Sequence, residues 1–256
     1  MPSDSNAASK TTACEIETVA LVSPPVRAHT PLAADQTNQP VSNQPGLHPP
    51  LKLGIMASGS GSNFEAIAAA ISAGELNATI ELVIYNNPQA KVAERAARLH
   101  IPAELLDHRT FANREALDDA ITDRFRAYNV TWVIMAGWMR RVTERLLFAF
   151  PHRILNIHPS LLPSFPGIRA VEQALNAGVK ITGCSVHFVE LIVDSGPIVM
   201  QAAVPILPGD SIETLQARIQ QQEHVIFPRA IALAAQQISA SPTPTPQTNT
   251  PQTNSA

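Results

Sequence analysis

The run Ser58-Gly59-Ser60-Gly61-Ser62-Asn63 directly follows an apolar segment and precedes an amphipathic one. Glycines without a Cβ let backbone N–H groups close around an anion. The start of a helix adds unpaired donors and a favourable dipole, so the run makes a seat for a phosphate. A tight strand-to-helix turn capped by Ser or Asn accounts for the same residues without a ligand, and spacing alone does not choose between the two. The Gly-Lys-Ser/Thr ending of a nucleoside-triphosphate loop is missing, and Phe64 stands where a dinucleotide fingerprint needs a small residue. A lone phosphate monoester suits the run better than ATP or a dinucleotide.

Three other segments carry functional groups. In Asn156-Ile157-His158-Pro159-Ser160, at the end of an apolar run, residues two apart share a strand face. Asn156 and His158 therefore converge while Ile157 enters the core, and Pro159 restricts the backbone of His158. Catalysis and a hydrogen-bonded structural histidine both remain open for this pair. In Asp194-Ser195-Gly196-Pro197 the acid is either a functional carboxylate or an ordinary turn former. Glu223 falls four residues after Ile219 and three before Ile226, on the face of a helix that should be buried, where a carboxylate needs a partner or a wet cleft.

The elements that must position these groups alternate. Apolar runs at Leu51 to Ala57, Ile80 to Tyr85, Ala103 to Leu106 and Trp132 to Ala136 read as strands. Between them Asn63 to Ala73, Ala90 to His100 and Arg114 to Tyr128 read as crossover helices. Further strands fall at Ile154 to Ile157 and Cys184 to Val189, and Pro197 to Ile206 returns as an antiparallel or edge strand. Asp210 and Ser211 offer a cap for a long last helix, which Pro228 is expected to kink. The expected fold is α/β: an open, mostly parallel, Rossmann-like twisted sheet with helices on both faces and one antiparallel strand.

Of the 256 residues, the prolines crowd into the two ends, which also carry much Ser, Thr, Gln and Asn. Residues 1–50 and 239–256 are therefore expected to be disordered extensions around one catalytic domain at 51–238. A formal net charge of −3 supplies no general field for nucleic acid or an anionic membrane. Cys14 and Cys184 have no metal-ligand spacing and form no disulfide framework, which fits a reducing cytoplasm. No apolar run is long enough to span a membrane, and the N-terminus lacks the pattern of a secretory signal.

Taken in order, Gly61-Ser62-Asn63, Ala136-Gly137-Trp138-Met139-Arg140, Asn156-Ile157-His158-Pro159-Ser160-Leu161-Leu162-Pro163, Ser185-Val186-His187-Phe188, Asp194-Ser195-Gly196-Pro197 and Gln222-Glu223-His224 resemble the phosphoribosylglycinamide formyltransferases, from about Leu51 to Ala235. The resemblance implies direct attack of the amine of glycinamide ribonucleotide on the formyl carbon of the cosubstrate 10-formyltetrahydrofolate, without a metal or a covalent intermediate. Asn156 and His158 then donate to the tetrahedral oxyanion. Asp194 favours the imidazolium form of His158 and holds a water that passes the proton from the attacking amine to the leaving nitrogen.

On the same resemblance Gly61, Ser62, Asn63, Pro159, Gln220 and Glu223 hold the ribonucleotide, and Arg114, Met139, Arg140, Arg141, Val142 and Asn156 hold the folate. Small-molecule substrates, no nucleic-acid or membrane partner, and a monomer or weak homodimer in the cytoplasm complete the expectation. This chain departs from some relatives at Ile168-Arg169-Ala170-Val171, where they carry histidines, so no catalytic role is given to that loop. His187 reads as a hydrogen-bonded core or supporting residue.

Formyltetrahydrofolate hydrolase resembles the same domain, but it carries a folded N-terminal regulatory domain for which residues 1–50 are too short and too rich in proline. Methionyl-tRNA formyltransferase needs a C-terminal domain and a basic surface, in place of which this sequence has Thr, Pro, Gln and Asn. A non-catalytic phosphate or folate binding module has no need for Asn156, His158 and Asp194 together.

Overall fold

A computed structural model describes residues 21–23 and 49–240. Its elements in chain order are β1 (Leu21–Ser23), β2 (Leu51–Ala57), α1 (Ser62–Ser72), β3 (Ala78–Tyr85), α2 (Val92–Arg98), β4 (Ala103–Leu105), α3 (Arg114–Ala127), β5 (Trp132–Met135), α4 (Glu144–Ala149), β6 (Ile154–His158), α5 (Ala170–Asn176), β7 (Ile181–Phe188), β8 (Ile198–Pro205) and α6 (Ile212–Ala240). A short 3-10 turn at His108–Thr110 lies between β4 and α3.

All eight strands of the described residues join one sheet in the order β1-β8-β7-β6-β5-β2-β3-β4. From β4 through β3, β2 and β5 to β6 the neighbours are parallel. β7 lies antiparallel to β6, β8 antiparallel to β7, and β1 antiparallel to β8. The expected mixed α/β sheet is present, but two strands rather than one run against the parallel set, β7 and β1. β1 also corrects the expectation of disorder for three residues. Leu21-Val22-Ser23 extends the sheet along the edge that β8 would otherwise leave open. The rest of both expected extensions, 1–20, 24–48 and 241–256, lies outside the described residues.

Period-two alternation builds two cores. Leu53, Ile55 and Ala57 of β2 face a cluster with Phe64 and Ile67 of α1 and Leu215, Ile219 and Ile226 of α6, whereas Met56 faces Ile121 and Phe125 of α3 and Leu146 of α4. A Cβ on Gly54 would lie 2.5 Å from the Phe125 ring, so a bare backbone is what lets α3 approach β2.

Caps set the helix starts. Asn113 Oδ1 accepts from Ala116 N at 2.8 Å before α3, and Ser211 Oγ accepts from Thr214 N at 3.3 Å before α6. α6 is one helix from Ile212 to Ala240 with Pro228 inside it. The unexpected helices α4 and α5 have six and seven residues, too few for a periodic pattern to show in the sequence. No described helix is long and apolar enough to cross a membrane. Because β2, β5 and β6 run parallel, their carboxyl ends open on one edge of the sheet, and the chemically interesting loops leave from there.

Candidate active site

β2 runs out into the glycine loop, and the loop ends at Gly61, whose φ of 76° puts it in the left-handed region. A Cβ there would stand 2.6 Å from Val92 Cγ2 and 3.0 Å from Val92 Cα, so conformation and packing both demand glycine. α1 starts without a side-chain cap, which leaves its first backbone N–H groups for a ligand. α6 braces the loop from beside it. Gln220 Nε2 donates to Ser62 Oγ at 3.0 Å, and Asn63 Nδ2 donates to Glu223 Oε2 at 2.8 Å. Glu223 is buried, and burial pushes its carboxyl above the usual carboxylate range against the opposing bond from Asn63. Asn63 Oδ1 is also buried and has no partner among the described residues.

The second group of side chains gathers where β6 and β7 meet. The strand register sets Asn156 opposite His187, and the loop between β7 and β8 folds back to add Asp194. Asp194 Oδ2 lies 3.3 Å from His158 Nδ1 and accepts from Gly167 N at 2.7 Å, while Oδ1 lies 3.5 Å from His187 Nε2. Asp194 is itself in the left-handed region, with φ 55°, and its side chain is only 8% exposed. Burial pushes its carboxyl up. The hydrogen bond from His187, the Gly167 N–H and the charge of His158 outweigh that and hold it below the ordinary value.

Both histidines are fixed by carbonyls. His158 Nε2 donates to Phe165 O at 2.8 Å, and His187 Nδ1 donates to Phe188 O at 2.8 Å. The latter bond leaves His187 Nε2 facing Asn156 Nδ2 at 3.2 Å as well as Asp194. The cluster is thus a carboxamide and two imidazoles arranged around one buried carboxylate. Cys184, nearby in β7, is no nucleophile, because burial and then the charge of Glu223 drive its thiol far above the ordinary range.

The glycine loop and the polar cluster line one cavity of about 520 Å³. Gly61, Ser62, Asn63, Pro159, Gln220 and Glu223 line it, as do Met139 to Val142, Asn156, His158 and Asp194. Of the expected site residues Arg114 alone lies elsewhere, on an adjoining cavity of about 340 Å³ that shares Arg141, Val142 and Leu191 with the first. Bonds across the loops hold the wall between them. Met139 N donates to Ser58 Oγ at 2.9 Å, and Ser58 N donates to Gly137 O at 3.0 Å.

Sequence reasoning gave His187 only a supporting place. Its tie to Asn156 and Asp194 depends on a strand register that periodicity does not reveal. Ile168, Arg169 and Gln216 also line the cavity without having been expected there. Among the described residues no group of three or more His, Cys, Asp or Glu side chains is arranged to hold a metal ion.

A family model described as formyl transferase matches residues 51–231, so the chain is a formyl-transferring enzyme. Phosphoribosylglycinamide formyltransferase of Bacillus subtilis (strain 168) is 43% identical over 180 residues, which cover 70% of this chain and 92% of that protein. The crystal structure of glycinamide ribonucleotide transformylase 1 from Symbiobacterium toebii shares 47% identity at a TM-score of 0.72, over 73% of this chain and 89% of that one. A trifunctional purine biosynthetic protein, adenosine-3 of Drosophila pseudoobscura pseudoobscura, is 44% identical over 73% of this chain but only 14% of its own length. The chain belongs to the phosphoribosylglycinamide formyltransferase family.

Proposed function

We propose that this protein transfers the formyl group of 10-formyltetrahydrofolate to the amine of N1-(5-phospho-D-ribosyl)glycinamide, yielding the formylglycinamide ribonucleotide and tetrahydrofolate, in cytoplasmic purine synthesis. The observation that carries this reading is a single cavity in which a phosphate seat at α1 faces the cluster of Asn156, His158, His187 and Asp194. Gly61, Ser62 and Asn63 hold the phosphate end, Pro159, Gln220 and Glu223 flank the ribose, and Met139 to Val142 with Asn156 wall the pterin.

The amine nitrogen attacks the formyl carbon, a C–N bond forms, and the carbonyl oxygen becomes an oxyanion that Asn156 and His158 stabilise by donating N–H groups. In the structure Asn156 Nδ2 lies beside His187 Nε2 and His158 Nε2 donates to Phe165 O, contacts that the formyl oxygen must replace. Asp194 stays ionised and faces His158 Nδ1. A water at this carboxylate takes the proton from the attacking amine and returns one to the leaving folate nitrogen as the old C–N bond breaks. Loss of the formyl group from the donor, followed by absorbance with and without glycinamide ribonucleotide, tests the reading. Deformylation is expected only when the ribonucleotide is present, and equal rates without it would indicate a hydrolase.

Two variants probe the ribonucleotide end. Gly61→Ala meets a left-handed backbone penalty of about 1–2 kcal/mol as well as the clash with Val92. The ribonucleotide KM is expected to rise by about tenfold or more and the melting temperature to fall. Wild-type values for both would remove Gly61 from the seat.

Glu223→Gln should separate binding from stability. The Glu223 carboxyl is raised in the folded state, so its protonated form is favoured there and stability is lost as pH rises through the folded value. The variant should therefore melt higher than wild type at pH 8, with the difference vanishing below the ordinary glutamate range near about 4.3. Its ribonucleotide KM should rise by roughly tenfold to a hundredfold, since a charge-assisted hydrogen bond is lost. A melting difference independent of pH would refute the burial argument.

A further inference from the structure

The glycine loop offers a phosphate no cation. From Ser58 to Ser72 the loop and α1 carry one charged residue, Glu65, and the side chains that α6 brings to the loop are Gln220 and Glu223. Helix-start N–H groups supply only partial charge, so a phosphate dianion there leaves much of its charge unopposed. Three arginines line the cavity, Arg140, Arg141 and Arg169. Arg140 and Arg141 lie on the Met139 to Val142 wall, which Trp138 and Val142 anchor in the core with Leu117 of α3 and Leu146 of α4. Arg169 stands on the other side. Two residues after it, Val171 joins the core that holds Phe64 of α1 with Leu215 and Ile219 of α6, so the start of α5 borders the helices around the glycine loop.

Arg169 contributes little to its own turn. Its φ of 57° lies in the left-handed region, where a side chain is unfavourable, and it stands at the start of α5, whose dipole opposes a cation there. Other groups hold the turn: Gln173 Nε2 donates to Ile168 O at 2.8 Å, and Gly167 N donates to Asp194 Oδ2 at 2.7 Å. The Arg169 side chain is 73% exposed, and its one carboxylate contact among the described residues is Glu172, 3.9 Å away. An exposed contact of that length is weak and is readily exchanged for a better anion. Backbone strain kept without a structural return points to function.

We propose that Arg169 binds the phosphate of the ribonucleotide and so discriminates phosphorylated acceptors from unphosphorylated ones. The inference rests on the formyl-transfer reading, because that reading seats the phosphate at Gly61 to Asn63. The guanidinium exchanges Glu172 for the phosphate and donates N–H groups to oxygens that the glycine loop leaves open. The phosphate is remote from the attacking amine, so Arg169 acts on acceptor binding and not on chemistry.

The test compares kcat/KM for glycinamide ribonucleotide and for the glycinamide riboside that lacks its phosphate, in wild type and in Arg169→Gln. Glutamine meets the same left-handed backbone and removes the charge, so the melting temperature should not move. The ribonucleotide KM should rise by about fivefold to thirtyfold, the lower part of the range for a charge-assisted hydrogen bond because the site is exposed, and the effect should shrink as salt is raised. The riboside kcat/KM and the donor KM should keep their wild-type values, and Arg169→Lys should recover part of the ribonucleotide affinity. An unchanged ribonucleotide KM, an equal loss with both acceptors, or a rise in the donor KM alone overturns this proposal while leaving formyl transfer standing. Failure of the wild type to formylate the ribonucleotide overturns the proposed function, and this inference with it.

Discussion

Asp194→Asn is expected to lower kcat by about a thousandfold while moving either KM by less than about threefold. Asparagine keeps the shape, and its oxygen still accepts from Gly167 N, so the loop that returns from β7 stays in place. What it loses is the charge. Asp194 sits 3.3 Å from one imidazole and 3.5 Å from another, and no other carboxylate among the described residues touches either ring. Without it His158 Nδ1 faces no carboxylate, and the water between the two amines has no base. The pH dependence of stability gives a second readout. The Asp194 carboxyl is held below its ordinary value, so its contribution is present above the ordinary carboxylate range near about 3.9 and is lost as pH falls through the lower folded value. The variant should melt below wild type at neutral pH and draw level in strong acid. Steady-state kinetics and melting curves across pH check both points, and equal turnover in the variant would end the assignment.

Asn156→Ala is the second large effect. Preorganised donors at an oxyanion contribute about 2.7–4 kcal/mol, which corresponds to a loss of about a hundredfold to a thousandfold in kcat. The side chain is half-buried in the middle of β6 and, among the described residues, its carboxamide bonds only to His187, so the sheet should survive its removal. Because Asn156 and Asp194 meet through His187, their losses should not add: Asn156→Ala combined with Asp194→Asn is expected to be markedly less damaging than the product of the two. Multiplicative losses would show two independent sites and would contradict a single polar cluster.

Much of this arrangement is legible in the residues, for reasons that differ from element to element. β2 is a run of seven residues ending in a glycine loop, and strand and loop follow from apolar patterning and the absence of Cβ atoms. Asn156 and His158 share a face because strand geometry has a period of two, and both line the cavity. Glu223 stands out because a carboxylate on a buried helical face needs a partner, and Asn63 supplies it from 160 residues away. What stayed hidden depends on long-range placement. His187 becomes part of the site only through its register opposite Asn156, and the antiparallel setting of β7 is not written in its own residues. Leu21-Val22-Ser23 pairs with β8 although its surroundings are compositionally unlike a domain, because an open sheet edge accepts a short apolar run whatever flanks it. Resemblance alone points Arg114 to the donor, and its place on a second cavity follows from how Asp118 locks α3 to the segment before α4.

The central claim is transfer from one molecule to another within a single cavity, and following the formyl carbon itself is the most direct test. A single turnover with donor labelled by 13C in the formyl group, quenched and read by NMR, should place the label in the amide of the ribonucleotide product, one equivalent for each equivalent of tetrahydrofolate formed. Label recovered as free formate in the presence of saturating ribonucleotide would contradict the account.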